Sequence, residues 1–265
     1  MTKRVMSALL IVIVFIPFLI IGGVSFQILM SAIAVLSLYE LLHIKEQKEK
    51  LPLVINLFAY ILVLYFTFGN TSAVDFQYSL DYKVMSGIIF LFLAPLVFIN
   101  NQDKYNISDA LYVIASVLFI GLSYNLLIIT RNYDLKYIIY LFLITTMTDT
   151  FALFTGMLVG NHKLSSISPK KTVEGLIGGT LMGTFVAVSF YHTVINPNMS
   201  LVFIIMITVG LSLIGQIGDL VFSSIKRYYG KKDFSDLIPG HGGILDRFDS
   251  MIFVVLAFVI LLGII

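Results

Sequence analysis

The sequence predicts an all-α polytopic integral membrane protein with about nine transmembrane helices, its N-terminus cytoplasmic and its C-terminus outside. Composition is the first reason: 58% of the 265 residues are hydrophobic and only 12% are charged. The mean hydropathy of +0.98 exceeds that of ordinary soluble domains. Spacing is the second, because apolar runs of bilayer length recur from one end of the chain to the other. Charge placement is the third. With the N-terminus inside, 14 of the 17 lysines and arginines fall in cytoplasmic segments, and only Lys83, Arg131 and Lys136 fall outside, as the positive-inside rule demands.

A hydrocarbon core of roughly 30 Å takes about 20 helical residues. Spans of that size fall at 5 to 22, 24 to 43, 51 to 69, 84 to 100, 108 to 130, 136 to 160, 173 to 194, 200 to 222 and 244 to 265. The first follows Lys3 and Arg4 like a signal peptide. No small-residue cleavage site comes after it and a second span begins at once, so it reads as a retained helix. The second span ends in "KEQKEK" (45 to 50), a solvated cytoplasmic cap, and the third leads into "GNTSAVDFQYSLDYK" (69 to 83), an external loop with Phe76, Tyr78 and Tyr82 suited to the interface. Cytoplasmic polar stretches join spans six and seven ("GNHKLSSISPKKTVEG", 160 to 175) and spans eight and nine (223 to 243). No internal repeat is visible. The chain therefore reads as one membrane domain, 1–265, with helices of unassigned role in 1–135 and the chemistry in 136–265.

A net charge of +2 identifies no partner, and the absence of cysteine excludes disulfides, thiolate metal sites and a cysteine nucleophile. Chemistry falls to carboxylates, hydroxyls, lysines, arginines and four histidines. Most acids lie in loops, and Glu40, Asp109 and Glu174 sit near span ends, where water or a lysine can satisfy them. Asp149 is different: it lies about 13 residues into the sixth span, roughly 20 Å from the outer end at 1.5 Å per residue. An ionisable group at that depth is costly and points to function.

Asp219 closes the eighth span, and Asp246 and Asp249, three apart, project from one face at the start of the ninth. One loop joins these spans, so the three carboxylates can converge, and such a group repels itself unless a cation or shared proton intervenes. All-oxygen ligation points to Mg²⁺, Mn²⁺ or Ca²⁺. The competing reading is helix capping by the two N-terminal acids, with Arg247 as an ion-pair partner. Around them stand Ser223, Ser224, Lys226, Arg227, Lys231, Lys232 and His241, with Gly240, Gly242 and Gly243 directly before a helix. Glycine amides and a helix N-terminus suit phosphate, and metal-binding acids beside phosphate-binding bases suit a nucleotide with its divalent ion. Anchoring to anionic headgroups is the plainer role for Lys231 and Lys232. Lys170 and Lys171 can reach phosphate from the other inner loop, and Thr172 with Glu174 or Gly175 opens the seventh helix.

The stretch "SSIKRYYGKKDFSDLIPGHGGILDRFD" (223 to 249) resembles the signature of the phosphatidate cytidylyltransferase (CDP-diacylglycerol synthase) family at Ser223, Lys226, Arg227, Lys232, Asp233, Ser235, Pro239, His241, Gly242, Gly243, Asp246, Arg247 and Asp249. "GDLVFSSIKR", "DTFALFTG" and "ISPKKTVEG" are also similar to family features, so the likeness covers about 136 to 265; Leu153 and Asn161 depart from the tyrosine and the basic residue more usual there.

The resemblance implies transfer of a cytidylyl group from CTP to phosphatidic acid, giving CDP-diacylglycerol and pyrophosphate for phospholipid synthesis at the cytoplasmic face of the cell membrane. It implies Asp219, Asp246 and Lys226 as catalytic residues, and Mg²⁺ or Mn²⁺ on Asp219, Asp246 and Asp249, with Asp149 as a further candidate. Substrate binding would fall to Ser223, Arg227, His241, Gly242, Gly243, Arg247, Lys170 and Lys171. A monovalent cation such as K⁺ and a homodimer are implied as well, and no nucleic acid. A CTP-dependent kinase, or a cytidylyltransferase acting on another lipid, is the nearest alternative. A transporter would place its buried acids near the midplane with repeat symmetry, which this chain lacks.

Overall fold

The computed structural model describes residues 13–46, 50–69, 82–99, 104–238, 240 and 242–262. The start of the first expected span, Phe76 and Tyr78 of the external loop, and His241 lie outside the described residues. Among those described, every regular element is helical and extended pairing is limited to two isolated bridges. In chain order the helices are α1 (13–21), α2 (Gly23–Glu46), α3 (Leu53–Gly69), α4 (Tyr82–Leu93), α5 (Pro95–Phe98), α6 (Ile107–Tyr133), α7 (Leu135–Val159), α8 (Val173–Phe190, continued by a π turn Tyr191–Ile195), α9 (Leu201–Tyr228) and α10 (Leu245–Leu262). Five of them, α2, α6, α7, α8 with its π turn, and α9, are long and apolar enough to cross a membrane; α3 and the α4–α5 stretch are shorter apolar helices.

Two expectations are corrected. The fourth span, 84 to 100, is interrupted within: Pro95 opens the short α5 directly after α4, and the two form one shorter apolar stretch, Lys83–Phe98. The Phe92 carbonyl beside the break accepts a 2.8 Å hydrogen bond from the buried Tyr105 hydroxyl. The eighth span does not stop at 222 but runs to Tyr228, so Ser223, Lys226 and Arg227 are helical rather than in a loop. Nothing in "SSIKRY" breaks a helix. The stop is Gly230, at φ 69, with its N–H and that of Lys231 closing on the Arg227 and Lys226 carbonyls.

The chain forms two compact units, Met1–Asn132 with Asp233–Leu245, and Tyr133–Lys232 with Asp246–Ile265. The first unit is knitted by polar contacts between helices. Tyr124 on α6 meets Ser37 on α2 at 2.7 Å, Tyr112 donates to the Leu41 carbonyl (2.7 Å), and Asn125 and Gln27 donate to carbonyls of Phe66 and Thr67 on α3. Asn106 and Asp109 cap α6 reciprocally, and Asp109 is ion-paired with Lys45, as expected for an acid at a span end.

The second unit is built on close backbone approach. Gly175, Gly179 and Gly183 recur at every fourth residue of α8, and a Cβ on them would lie 2.7 Å from the Ala152 carbonyl, 2.6 Å from the Thr148 carbonyl and 2.9 Å from the Thr148 amide. Small residues at this spacing let membrane helices pack on backbone. Hydroxyl and amide pairs then lock the register: Tyr140 with Thr208 (2.6 Å), Thr148 with Ser212 (2.8 Å), and Gln216 to Thr180 (2.9 Å). Gly215 and Gly218 on α9 instead leave room for the side chains of Val254 and Phe253 on α10.

Candidate active site

Along α9, Thr208, Ser212, Gln216, Asp219, Ser223 and Lys226 follow one another at intervals of three or four residues, which aligns them on one face. The upper three are occupied by interhelical pairs. Asp219, Ser223 and Lys226 form the polar end of the stripe, and the rest of the site gathers on them.

Asp219 accepts from the Lys171 ammonium at 2.5 Å and from the Ser223 hydroxyl at 3.3 Å. Lys171 arrives there because the loop before α8 folds back on itself: the Leu164 amide bonds the Lys171 carbonyl, the Lys171 amide that of Ser168, and the Val173 amide that of His162. Thr172 then caps α8 through the Gly175 amide at 3.0 Å, as the sequence suggests. Glu174 meets His162 at 2.5 Å.

Asp246, in the first turn of α10, is ion-paired with Lys226 at 2.5 Å, and both side chains are more than nine-tenths buried. Asp249, one turn later, accepts from the Ser250 amide at 2.7 Å and lies within electrostatic reach of Asp219, Asp149 and Lys226. Asp149 sits in the middle of α7, within reach of Asp219 and Lys171. Its side chain is exposed rather than packed away. It lines a narrow seam with Thr148, Ser212, Gln216 and Ser250. Ser250 is 4% exposed, and its hydroxyl has no hydrogen-bond partner among the described residues.

The acids that face one another are thus Asp149, Asp219 and Asp249, from three helices, while Asp246 is held by Lys226. Hard oxygen donors and an unpartnered buried hydroxyl are chemically suited to Mg²⁺. Among the described residues, no three His, Asp or Glu side chains are drawn tightly enough around one point to enclose an ion without movement.

The other expected residues scatter more widely. Arg227 is exposed and donates to the carbonyls of Lys231 (2.8 Å) and Ile167 (3.4 Å). Lys170 and Arg247 are exposed. In the first unit, the Gly242 carbonyl accepts from the Ile238 amide at 2.9 Å, and both Gly240 (φ 77) and Gly242 (φ 78) take the left-handed conformation that a tight loop needs. Gly243 is buried against Glu40. Sequence reasoning assigned the amides at the start of α10 to phosphate; those of Ile244 and Leu245 are instead bonded to the Glu40 carboxylate, both at 2.8 Å. It also missed the acid–lysine pairing, although the three- and four-residue spacing of polar side chains along α9 was there to be read.

The chain matches the Cytidylyltransferase family over residues 2–265. It is 35% identical to a phosphatidate cytidylyltransferase of Staphylococcus haemolyticus, 36% to one of Staphylococcus aureus and 34% to one of Staphylococcus epidermidis, in each case over 96% of both chains. A match of that extent shows that the chain belongs to the cytidylyltransferase family.

Proposed function

We propose that this chain transfers the cytidylyl group of CTP to phosphatidic acid, giving CDP-diacylglycerol and pyrophosphate. The observation that carries the reading is the pair of lysine–aspartate contacts, Lys171 with Asp219 and Lys226 with Asp246, set beside Asp149 and Asp249 at one end of an otherwise apolar bundle. An oxygen of the phosphatidate phosphate attacks the α-phosphorus of CTP, and the bond from that phosphorus to the pyrophosphate oxygen breaks. The nucleophile is already anionic, so the site needs no strong base. It must bring two polyanions together and spread the charge of the leaving pyrophosphate.

Lys226 and Lys171 are placed for that task, since each can exchange a carboxylate contact for a phosphate oxygen without leaving the cluster. A divalent cation, once bound, supplies charge neutralisation between the phosphates. Asp219 and Asp249 would hold it, with Asp149 beside them, while Asp246 sets the position of Lys226. The nine-span topology with a cytoplasmic N-terminus belongs to the same proposal. It rests on the 14 of 17 basic residues that such a topology places inside, on the cytosolic origin of CTP, and on headgroup-level access to the lipid. K⁺ as a second ion and a homodimer are carried over from the resemblance.

Purified protein given CTP labelled at the α-phosphate, phosphatidic acid and Mg²⁺ should yield labelled lipid and pyrophosphate in equal amounts. Release of CDP with an unlabelled lipid product would replace the transferase by a kinase.

A further inference from the structure

Glu40, near the cytoplasmic end of α2 in the proposed topology, is fully buried. Burying an ionised carboxylate costs several kcal/mol unless hydrogen bonds compensate it, and here three donors converge. The Ser235 hydroxyl lies at 2.5 Å, the Ile244 amide at 2.8 Å and the Leu245 amide at 2.8 Å. These donors are 195 to 205 residues away in sequence. Both ends of the segment Asp233–Leu245 are therefore tied to one side chain, and the second tie sits on the first residue of α10. Gly243 completes the fit: a Cβ there would lie 2.5 Å from a Glu40 carboxylate oxygen and would push the carboxylate away.

We propose that Glu40 is a positioning residue of the cytidylyltransferase centre. Its carboxylate caps α10 from a distant helix and fixes the residue at which that helix begins. Asp246 follows Leu245 by one peptide bond, so its direction is set by that start; a shift of the start by one residue rotates it by about 100° and takes it off Lys226. The capping carboxylate also complements the positive end of the α10 dipole. The inference rests on the proposed role of Lys226 and Asp246 but assigns the first unit a task of its own, which is to hold the signature segment.

The test uses the absence of cysteine from the chain. Phe234, 3% exposed in the segment, is replaced by Cys as a thiol reporter, and maleimide labelling is followed in membranes with Glu40 intact, Glu40→Gln or Glu40→Ala. Labelling should accelerate about tenfold in Glu40→Ala and less in Glu40→Gln, which keeps one acceptor. In the chain without the reporter, Glu40→Ala should lower kcat by about 30-fold to 100-fold while KM for CTP changes by less than about threefold. Glu40→Asp should recover part of that loss. Unchanged labelling overturns the proposal whatever happens to activity, and so does an unchanged kcat in a variant that labels faster. If Glu40→Ala does not accumulate, Ser235→Ala decides on the same two readouts, because it removes one tie and leaves the carboxylate in place. Wild-type protein that makes no CDP-diacylglycerol would sink the assigned reaction, and labelling would still decide whether Glu40 holds the segment.

Discussion

The acids of the two units are satisfied in opposite ways. In the first, Glu40 accepts from the Ser235 hydroxyl and the Ile244 and Leu245 amides, and Asp109 is bonded both to its capping amide and to Lys45. In the second, Asp249 has one neighbouring amide and two facing carboxylates, Asp149 is exposed beside Asp219, and the Ser250 hydroxyl has no partner among the described residues. An acid whose donors all come from the protein holds structure together. Acids left facing one another cost stability, and a shared proton, a neighbouring lysine or a cation relieves that cost, so such a group suits the binding of a cation or of a polyphosphate with its cation.

The sharpest way to break this contrast is to remove one facing acid and measure stability beside activity. Asp249→Asn should cut turnover by at least about 100-fold, yet leave the thermal midpoint equal to wild type or higher, because like-charge repulsion is relieved at almost unchanged volume. Mg²⁺ should raise the wild-type midpoint by mass action and have no such effect on the variant. Equal Mg²⁺ shifts in both proteins would remove Asp249 from the cation site. Glu40→Gln, by contrast, should lower the midpoint.

The Lys226–Asp246 pair lies between the two extremes, and a double-mutant cycle places it. Each partner is more than nine-tenths buried, so Asp246→Asn alone or Lys226→Met alone strands a charge and should cost about 3–5 kcal/mol. The double variant should recover most of that stability and none of the activity. Recovery of turnover with stability would show that the pair only braces α9 against α10. The chain has no tryptophan or cysteine, so unfolding is best followed as loss of the monodisperse gel-filtration peak after heating.

Much of the fold could be read in advance because membrane spans announce themselves: an unbroken apolar run has one affordable conformation in lipid. The start of α8 was visible too, since Thr172 is a local cap whose partner lies three residues away; Asp134, which caps α7 through the Lys136 amide, was read only as a loop acid. Legibility ended where partners are distant. No spacing rule connects Glu40 to Ile244, and an acid at a span end looks the same whether water, a lysine or a helix start satisfies it. The signature contains Lys226, Asp246 and Asp249, but which carboxylate meets which lysine depends on how α7, α8 and α9 are rotated about their axes. The glycines at 175, 179 and 183 decide part of that rotation, and their four-residue recurrence was a readable signal of a packed face. The extra turns of α9 were missed for a different reason: hydropathy ends a span where charge begins, while the backbone keeps coiling until Gly230.

The smallest effect tests whether the polar pairs inside the second unit belong with the satisfied acids or with the site. Tyr140 is fully buried, its hydroxyl 2.6 Å from Thr208 and its ring edge-on to Tyr191 at 5.3 Å. Thr208 is also bonded to the Ile204 carbonyl at 2.7 Å, so Tyr140→Phe removes one bond without stranding its partner. The ring packing is kept. Interhelical hydrogen bonds in membranes average about 0.6 kcal/mol because the separated helices find other partners, and the variant should lose about that much stability with kcat and both KM values unchanged. The same stripe of α9 that carries Thr208 carries Asp219 three turns on, so a tenfold fall in kcat from this hydroxyl would mean that the pairs set the rotation of α9 to within the tolerance of the chemistry. An unchanged kcat would mean that the glycine contacts of α8 and α10 hold that rotation by themselves, and that α9 divides along its length into a packed part and a reactive one.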